Sequence, residues 1–267
     1  MSTDSDAFPE GVPCWADVTL PDLEAGKRFY GELLGWTFDV GTARFGYYTQ
    51  ASRDGKKVAA LVPKTDGRMP TAWGVYFAAT DAVATAARIE AAGGRIIVGP
   101  MGIADFGRMV VAADPDGAVF GVWQAGSHHG FELRGEPGSY GWTEVYTRDP
   151  KSVDAFYEAV FGFTSTDLSE EAGMEFAMWT PAGKPAAPEH AVGGRAVLGD
   201  SFPAEMPAHF LTYFVVDGCD AAAHAAVGLG GRILREPQDT PYGRFAVLAD
   251  DQGASFAVID LSQAPQG

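Results

Sequence analysis

The chain contains the same long pattern twice. The segment that begins WADVTLPD at Trp15 returns without a gap as WTEVYTRD at Trp142. A second pair follows, in which the segment from Trp73 resembles the segment from Phe210, and both continue through a Gly-Gly-Arg-Ile sequence. An internal repeat constrains the fold strongly, because each copy must form the same supersecondary unit. We therefore expect four related modules, arranged as two similar halves.

The sequence of each module predicts one strand, one helix and three further strands. In the first module a strand over residues 14–20 precedes a helix that Asp22 caps and Gly35 ends. Strands outnumber helices about three to one in this pattern and hairpins dominate, so the predicted class is α+β, with four βαβββ modules in two tandem domains. The predicted organisation is a tail (1–12), a first domain (13–125), a linker (126–139) that contains the adjacent and inert His128 and His129, and a second domain (140–262).

Composition limits the partners and the compartment. The formal net charge is −16, which argues against a nucleic-acid or anionic-membrane surface, since both need a basic footprint. Cys14 and Cys219 occupy unrelated places in the repeat, so neither a disulfide nor a thiolate metal site is indicated. The first residues lack the pattern of a secretory signal, and no apolar run is long enough to span a bilayer. We expect a cytoplasmic protein.

The motifs resemble those of the vicinal oxygen chelate superfamily, which includes glyoxalase I, bleomycin-resistance proteins and extradiol dioxygenases. The resemblance rests on Phe29-Tyr30 and Phe156-Tyr157, each followed by a helix-ending glycine, and on the turns Asp114–Gly117 and Asp250–Gly253, the second a degraded copy. It is closer still to the tandem-domain actinobacterial branch, whose members include 27 kDa antigens, proteins labelled hydroxylases and anthracycline-pathway accessory proteins. The resemblance implies two glyoxalase-like domains, each with an internal cavity.

The same resemblance places metal ligands on the first and last strands of a module. In this chain the first-strand positions hold Trp15 and Trp142, and an indole cannot bind a cation through a lone pair. The last-strand positions hold Gly121 and Ala257, which have no ligating side-chain atom. His209 alone remains, whereas a catalytic divalent ion typically has three protein ligands. We therefore predict neither a metal nor another cofactor.

Aromatic residues take the place of the ligands and suggest a site for a flat apolar molecule. The candidate ligand-binding residues are Trp15, Phe45, Tyr47, Trp73, Phe106, Trp123, Trp142, Met178, His209 and Tyr242. Packing in the core is the competing interpretation for each aromatic residue. Four charged residues recur at matching repeat positions and are candidates for orienting a ligand, namely Asp17, Glu144, Arg108 and Arg244, although structural salt bridges explain them equally well.

These patterns favour a metal-free protein that binds a small aromatic or polyketide-like molecule, in a resistance or biosynthesis accessory role. The alternative is an enzyme, either a glyoxalase-like lyase or isomerase or a hydroxylase-type catalyst, with Asp17 or Glu144 as the acid or base. A third interpretation is an interaction protein whose cavities are filled by core side chains. Two domains in one chain predict a monomer with an internal pseudo-dimer, and a homodimer stays open.

Overall fold

A computed structural model describes residues 7–67, 70–200 and 202–264. Over these residues the chain forms two eight-stranded sheets with few helices, and the module order is strand, helix, then three strands. The predicted α+β class with four βαβββ modules is confirmed. Residues 1–6 of the predicted tail lie outside the described residues.

The first sheet contains the strands of the first two modules in the order β2-β3-β4-β1-β5-β8-β7-β6. Its elements are β1 (Pro13–Leu20), α1 (Leu23–Leu34), β2 (Thr37–Phe38), β3 (Thr49–Arg53), β4 (Lys56–Pro63), β5 (Trp73–Ala78), α2 (Ala82–Ala91), β6 (Arg95–Ile103), β7 (Gly107–Ala113) and β8 (Val119–Ala125). The pairs β1–β4 and β5–β8 are parallel, and the four hairpin pairs β2–β3, β3–β4, β6–β7 and β7–β8 are antiparallel.

The second sheet repeats this order as β10-β11-β12-β9-β13-β16-β15-β14. Its elements are β9 (Tyr140–Thr147), α3 (Pro150–Phe161), β10 (Thr164–Asp167), α4 (Ser169–Ala172), β11 (Phe176–Thr180), β12 (Gly193–Val197), β13 (His209–Val215), α5 (Cys219–Gly228), β14 (Arg232–Thr240), β15 (Gly243–Ala249) and β16 (Ser255–Asp260). The short helix α4 lies between β10 and β11, at the place where the first module has the 3-10 turn Ala43–Phe45, and it was not predicted by the repeat.

Helix ends follow the predicted cap chemistry. The Asp22 carboxylate accepts a hydrogen bond from the backbone N–H of Ala25, and Asp81 caps α2 in the same way. Gly35 and Gly162 end α1 and α3 with φ of 70° and 71°, in the left-handed region that favours glycine. The repeated aspartate and glycine therefore set the length of the first helix in each half.

Four aromatic residues that the sequence placed on strands lie elsewhere. Phe45 belongs to a 3-10 turn (Ala43–Phe45), and Tyr47 follows it with a φ of 60°. Phe106 and Tyr242 occupy the tight turns that join β6 to β7 and β14 to β15. All four are exposed, because the neighbouring strands end before these residues or begin after them, and their side chains do not join the alternating pattern.

Contacts divide the described chain into two compact units. Unit 1 comprises the chain up to Trp15 together with Val75–Gly130 and Thr143–Phe210, and it contains α2 and α3. Unit 2 comprises Ala16–Gly74, Phe131–Trp142 and the chain from Leu211, and it contains α1 and α5. Each unit thus groups one module from each sequence half. The domain boundaries at 13–125 and 140–262 stay a prediction.

The repeated motifs hold each unit together. In unit 2 the Tyr30 hydroxyl donates a hydrogen bond to Asp250 Oδ2 at 2.8 Å, and both groups are buried. In unit 1 the Tyr157 hydroxyl donates to Asp114 Oδ2 at 3.4 Å. The other oxygen of each aspartate accepts backbone N–H groups of its own turn. The tyrosine and the turn aspartate of the family motifs therefore form a structural pair, and the degraded Asp250 turn keeps it.

Candidate functional site

The helices pack on one face of each sheet, called here the helix face. Tyr30 of α1 contacts the Trp73 ring of β5, and Tyr157 of α3 contacts the Trp179 ring of β11. Side chains alternate along a strand, so Met178 lies on the other face of β11, called here the opposite face. The helix face is filled by core aromatic residues, so we expect a ligand site on the opposite face.

The two first-strand carboxylates both lie on the opposite face. On β1, Leu20 packs close to Gly26 of α1 and marks the helix face, which puts Asp17 on the opposite face. On β9, Val145 pairs with Arg195, whose guanidinium reaches Asp154 of α3, so Glu144 lies on the opposite face. The sequence thus predicted correctly that the two repeat positions are equivalent.

The clearest aromatic cluster on the opposite face lies in unit 1. Tyr146 stacks on His209, with ring centroids 5.3 Å apart and an angle of 8° between the ring planes. Phe202 meets Tyr146 edge-on at 5.8 Å. Glu144 shares this face of β9 with Tyr146, because the two residues are two positions apart. We call Glu144, Tyr146, Met178, Phe202 and His209 the Tyr146 site.

A glycine in the floor of the Tyr146 site makes room for the Phe176 ring. Gly194 is the Cα partner of both Met178 and Glu144, so the three residues form one row across β11, β12 and β9. A Cβ at Gly194 would lie 2.5 Å from the Phe176 ring, which therefore covers the glycine. The row consequently presents a thioether, an aromatic ring and a carboxylate side by side.

The Pro207 carbonyl holds the neutral His209 ring in one tautomer. Its Nδ1 lies 2.9 Å from the Pro207 carbonyl oxygen, and because a carbonyl only accepts, Nδ1 carries the proton. Burial lowers the pKa of His209 below its ordinary value, and the Pro207 carbonyl opposes this in part. A neutral imidazole with its lone pair on Nε2 can accept a hydrogen bond from a hydroxyl group.

A second aromatic cluster in unit 1 lies on the opposite face of the first sheet. The His128 ring meets Trp15 edge-on at 4.5 Å and Trp123 at 5.7 Å, and Trp123 Nε1 donates to the His128 carbonyl at 2.9 Å. The sequence treated His128 as an inert linker residue, but its ring is half-buried between two tryptophans. A linker has no periodicity from which this contact can be predicted.

On the same face, the position at which the family carries a last-strand ligand is occupied by a glycine. Gly121 stands where metalloenzyme relatives are expected to carry a last-strand ligand, and it is the Cα partner of Tyr76. A Cβ added at Gly121 would overlap the Tyr76 ring. A glutamate at position 121 would require Tyr76 to move, because the Tyr76 ring fills the space that the glutamate side chain would need.

Unit 2 carries a smaller group on the opposite face. Tyr213, the Cα partner of Ala257, meets Phe245 at 5.8 Å, and the Arg235 guanidinium lies over the Phe245 ring at 5.5 Å. Asp17 also belongs to unit 2, is 8% exposed and accepts a hydrogen bond from the Tyr48 hydroxyl at 3.2 Å. Trp142, on β9, is half-buried.

Two other predicted site residues have structural roles. Trp73 lies on the helix face, where its Nε1 donates to the Tyr30 hydroxyl at 3.0 Å. Arg244 pairs with Asp220 at 2.6 Å and with Asp239 at 2.9 Å beside the start of α5, so the salt-bridge interpretation applies to it. Arg108 is exposed beside the start of α2 and lines a separate pocket. None of these three lies on the opposite face with Tyr146.

The residues present at the family's ligand positions do not fit a divalent ion. Trp15 and Trp142 lack a donor lone pair, Tyr76 covers Gly121, and Ala257 has no ligating atom. No three His, Cys, Asp or Glu side chains come together as a metal site anywhere in residues 7–67, 70–200 and 202–264. His209 has a carbonyl on one nitrogen and a tyrosine ring against its face, which suits ligand stacking better than coordination.

Comparison with solved structures identifies the same fold in a dioxygenase and in a Mn(II)-bound glyoxalase. The 2,3-dioxygenase LapB from Pseudomonas sp. KL28 superimposes with a TM-score of 0.64 at 14% identity, over 94% of this chain and 93% of that one. The Mn(II)-bound glyoxalase from Novosphingobium aromaticivorans gives 0.62 at 16% identity, over 96% and 86%. At this identity the likeness concerns the fold alone. No helix among the described residues is long and apolar enough to cross a membrane.

Sequence comparison gives closer relatives. The anthracycline biosynthesis protein DauV from Streptomyces sp. (strain C5) is 40% identical over 272 residues and 96% of each chain. CFP32 of Mycobacterium tuberculosis, named as a glyoxylase, is 38% identical over 97% of each chain. The family model for the Glyoxalase/Bleomycin resistance protein/Dioxygenase superfamily matches residues 15–122, and that for a Glyoxalase-like domain matches 142–259. The chain therefore belongs to the glyoxalase/bleomycin resistance protein/dioxygenase superfamily and contains two of its domains in tandem.

Proposed function

We propose that this protein binds a small planar aromatic or polyketide-like molecule at the Tyr146 site, without a metal, in a biosynthesis or resistance accessory role. The observation that carries the proposal is the parallel stack of Tyr146 and His209 on the opposite face, beside Met178 and Glu144. Aromatic rings provide contact area and orientation at a small entropy cost. The similarity to DauV over nearly the whole chain supports a ligand of the aromatic polyketide class.

The polar groups of the site suit a hydroxylated ligand. His209 Nε2 is an acceptor when Nδ1 donates to Pro207, and Glu144 is an acceptor when ionised. A phenol can donate to either group while its ring lies against the half-buried His209 ring, which the buried Tyr146 ring supports from behind. We therefore expect hydroxylated planar rings to bind more tightly than apolar rings of the same size, since an apolar ring would cover the His209 Nε2 acceptor without giving it a hydrogen bond, which costs free energy.

Calorimetric titration with 1,8-dihydroxyanthraquinone tests the proposal. Tyr146→Leu keeps an apolar side chain but removes the stacking ring, and we expect binding to weaken roughly tenfold, the equivalent of about 1.4 kcal/mol. Tyr76→Leu is the matched control, because it removes a tyrosine from the other sheet. Equal binding by wild type and Tyr146→Leu would refute the Tyr146 site, and a loss confined to Tyr76→Leu would move the site to Trp15 and Trp123.

Proton transfer by a carboxylate is the second candidate function, and one observation favours it. Asp17 is buried on the opposite face and accepts from Tyr48, an arrangement that can hold a carboxylate against a substrate C–H group. Asp17→Asn and Glu144→Gln separate the two candidate bases. Turnover of the glutathione–methylglyoxal hemithioacetal that disappears in one of these variants, with its fold intact, would establish an enzyme. Turnover that needs stoichiometric metal would instead support a glyoxalase-like metalloenzyme.

A further inference from the structure

Arg108 and Arg244 occupy equivalent positions, one on β7 and one on β15, each directly after the glycine that begins the strand. Arg244 is surrounded by three carboxylates. Asp220 binds its guanidinium through two hydrogen bonds and Asp239 through one, while Asp260 is its Cα partner on β16. The positive charge of Arg244 is therefore neutralised within the protein.

The corresponding three residues around Arg108 carry no charge. Gly102 is the Cα partner of Arg108 where Asp239 is the partner of Arg244. Val83, the second residue of α2, stands where α5 has Asp220. Gln124 is the Cα partner of Arg108 on β8 where β16 has Asp260. Throughout the described ranges, Arg108 forms no ion pair.

The missing side chains leave a pocket of about 440 Å³ in unit 1, lined by Arg108, Gln124, Asp81, Thr80 and Gly102 among others. This volume lies within the range of small-molecule sites. The Gln124 Oε1 accepts from the backbone of Ala82, which directs the amide NH₂ group away from that bond as a further donor. Asp81 uses Oδ1 to cap α2 and leaves an acceptor at the same pocket.

We propose that this pocket binds a small carboxylic acid, whose carboxylate takes the place that Asp220 and Asp239 fill around Arg244. The guanidinium pairs with two carboxylate oxygens at once, as it does with Asp220 at the equivalent position. Asp81 accepts a hydrogen bond from a hydroxyl or ammonium group on the same ligand, so hydroxy and amino acids are favoured over acetate. This site is separate from the Tyr146 site.

The chain offers a sharp test, because an aspartate fits at Gly102. A Cβ there meets nothing within 4 Å, so Gly102→Asp restores the carboxylate that β14 carries and closes the pocket internally. Gly67→Asp is the matched control, since its Cβ also meets nothing within 4 Å and it changes the net charge equally. The Arg108 Nε–H resonance, assigned with Arg108→Lys, reports binding of glycolate, serine, acetate and inorganic phosphate by NMR.

We expect saturable shifts with glycolate and serine. The affinity that they report should weaken about tenfold or more in Gly102→Asp, because the new aspartate pairs with Arg108 in place of the ligand, and it should stay unchanged in Gly67→Asp. Absence of a saturable shift with every carboxylate would overturn the proposal. Unchanged binding in Gly102→Asp, or phosphate binding as tightly as glycolate, would overturn the assignment of a carboxylate site at Arg108.

Discussion

The two tyrosine–aspartate pairs show how the same motif acts in different surroundings. Tyr30 donates to Asp250 at 2.8 Å and also accepts from Trp73. Tyr157 donates to Asp114 at the longer distance of 3.4 Å, and Phe210 stands in the place of the tryptophan. The framework recurs, but the Tyr30 hydroxyl takes part in two hydrogen bonds whereas the Tyr157 hydroxyl takes part in one. The chain thus keeps the pair in both units, while the residue beside it changes from Trp73 on β5 to Phe210 on β13. Removing a hydroxyl group should therefore cost more in unit 2 than in unit 1.

The largest effect is expected from removing the hydroxyl in unit 2. Tyr30→Phe leaves Trp73 Nε1 and one Asp250 oxygen buried without a partner, so we expect a loss of about 2–4 kcal/mol in the free energy of unfolding. Tyr157→Phe breaks one long bond and should cost about 1 kcal/mol. Urea denaturation measures both. Equal losses would show that the Trp73 bond contributes nothing.

The unit 1 pair should also make stability depend on pH. Burial raises the pKa of Asp114 from 3.8 to about 6, although backbone N–H groups of Ala118, Gly117 and Asp116 oppose the shift. A raised folded-state pKa means that the native protein binds the proton more tightly, so this contribution is fully present below about pH 4 and is lost as the pH rises through about 6. The shift corresponds to at most about 3 kcal/mol.

Asp114→Asn tests the pH-dependent contribution of Asp114 to the free energy of unfolding. The difference in unfolding free energy between wild type and Asp114→Asn should change between pH 4 and pH 7, with wild type relatively more stable at the acid end. Asp39→Asn, at an exposed position, serves as the control and should leave the pH profile unchanged. A difference between wild type and Asp114→Asn that is constant over this range would contradict the shifted pKa.

The third contrast concerns the last strands. Tyr76 covers Gly121 in unit 1, whereas Tyr213 is the partner of Ala257 in unit 2 and tolerates its methyl group. Gly121→Ala should therefore destabilise the protein by about 1–3 kcal/mol through overpacking. Adding Tyr76→Ala should recover part of that loss, which a double-mutant cycle in urea measures. Independent, additive effects would show that the ring does not occupy this space.

The repeat made the fold predictable, because matching Asp, Phe-Tyr and Gly positions require matching helices and strands. It also gave Asp17 and Glu144 equivalent positions on β1 and β9, while their role in a site stays a prediction. It could not place Trp73, since a shift of one residue moves a side chain to the other face of a strand, and only the contact with Tyr30 fixes that register. It could not place Phe45 or Phe106 either, because both lie in turns, where side chains no longer alternate between the two faces of a strand.

The residues that the sequence did not single out are those whose role depends on distant neighbours. Phe202 and Phe176 reach the Tyr146 site from a loop and from β11, and Tyr76 matters only because Gly121 lies beside it. One signal was present in the sequence, since Tyr76 and Tyr213 occupy the same repeat position next to the two vacated ligand positions. The residue pairs could not be inferred without the strand register.

We propose that aromatic stacking takes the place of a metal on the opposite face of the second sheet. Native mass spectrometry of untreated protein, combined with elemental analysis of the same sample, tests it most directly because metal and organic ligand are detected together. We expect added 1,8-dihydroxyanthraquinone to produce a one-to-one complex without stoichiometric metal, and Tyr146→Leu to form about tenfold less of that complex at a ligand concentration below Kd. Stoichiometric nickel, zinc, iron or manganese in freshly purified protein, or an anthraquinone complex that is equally abundant in Tyr146→Leu, would contradict this proposal.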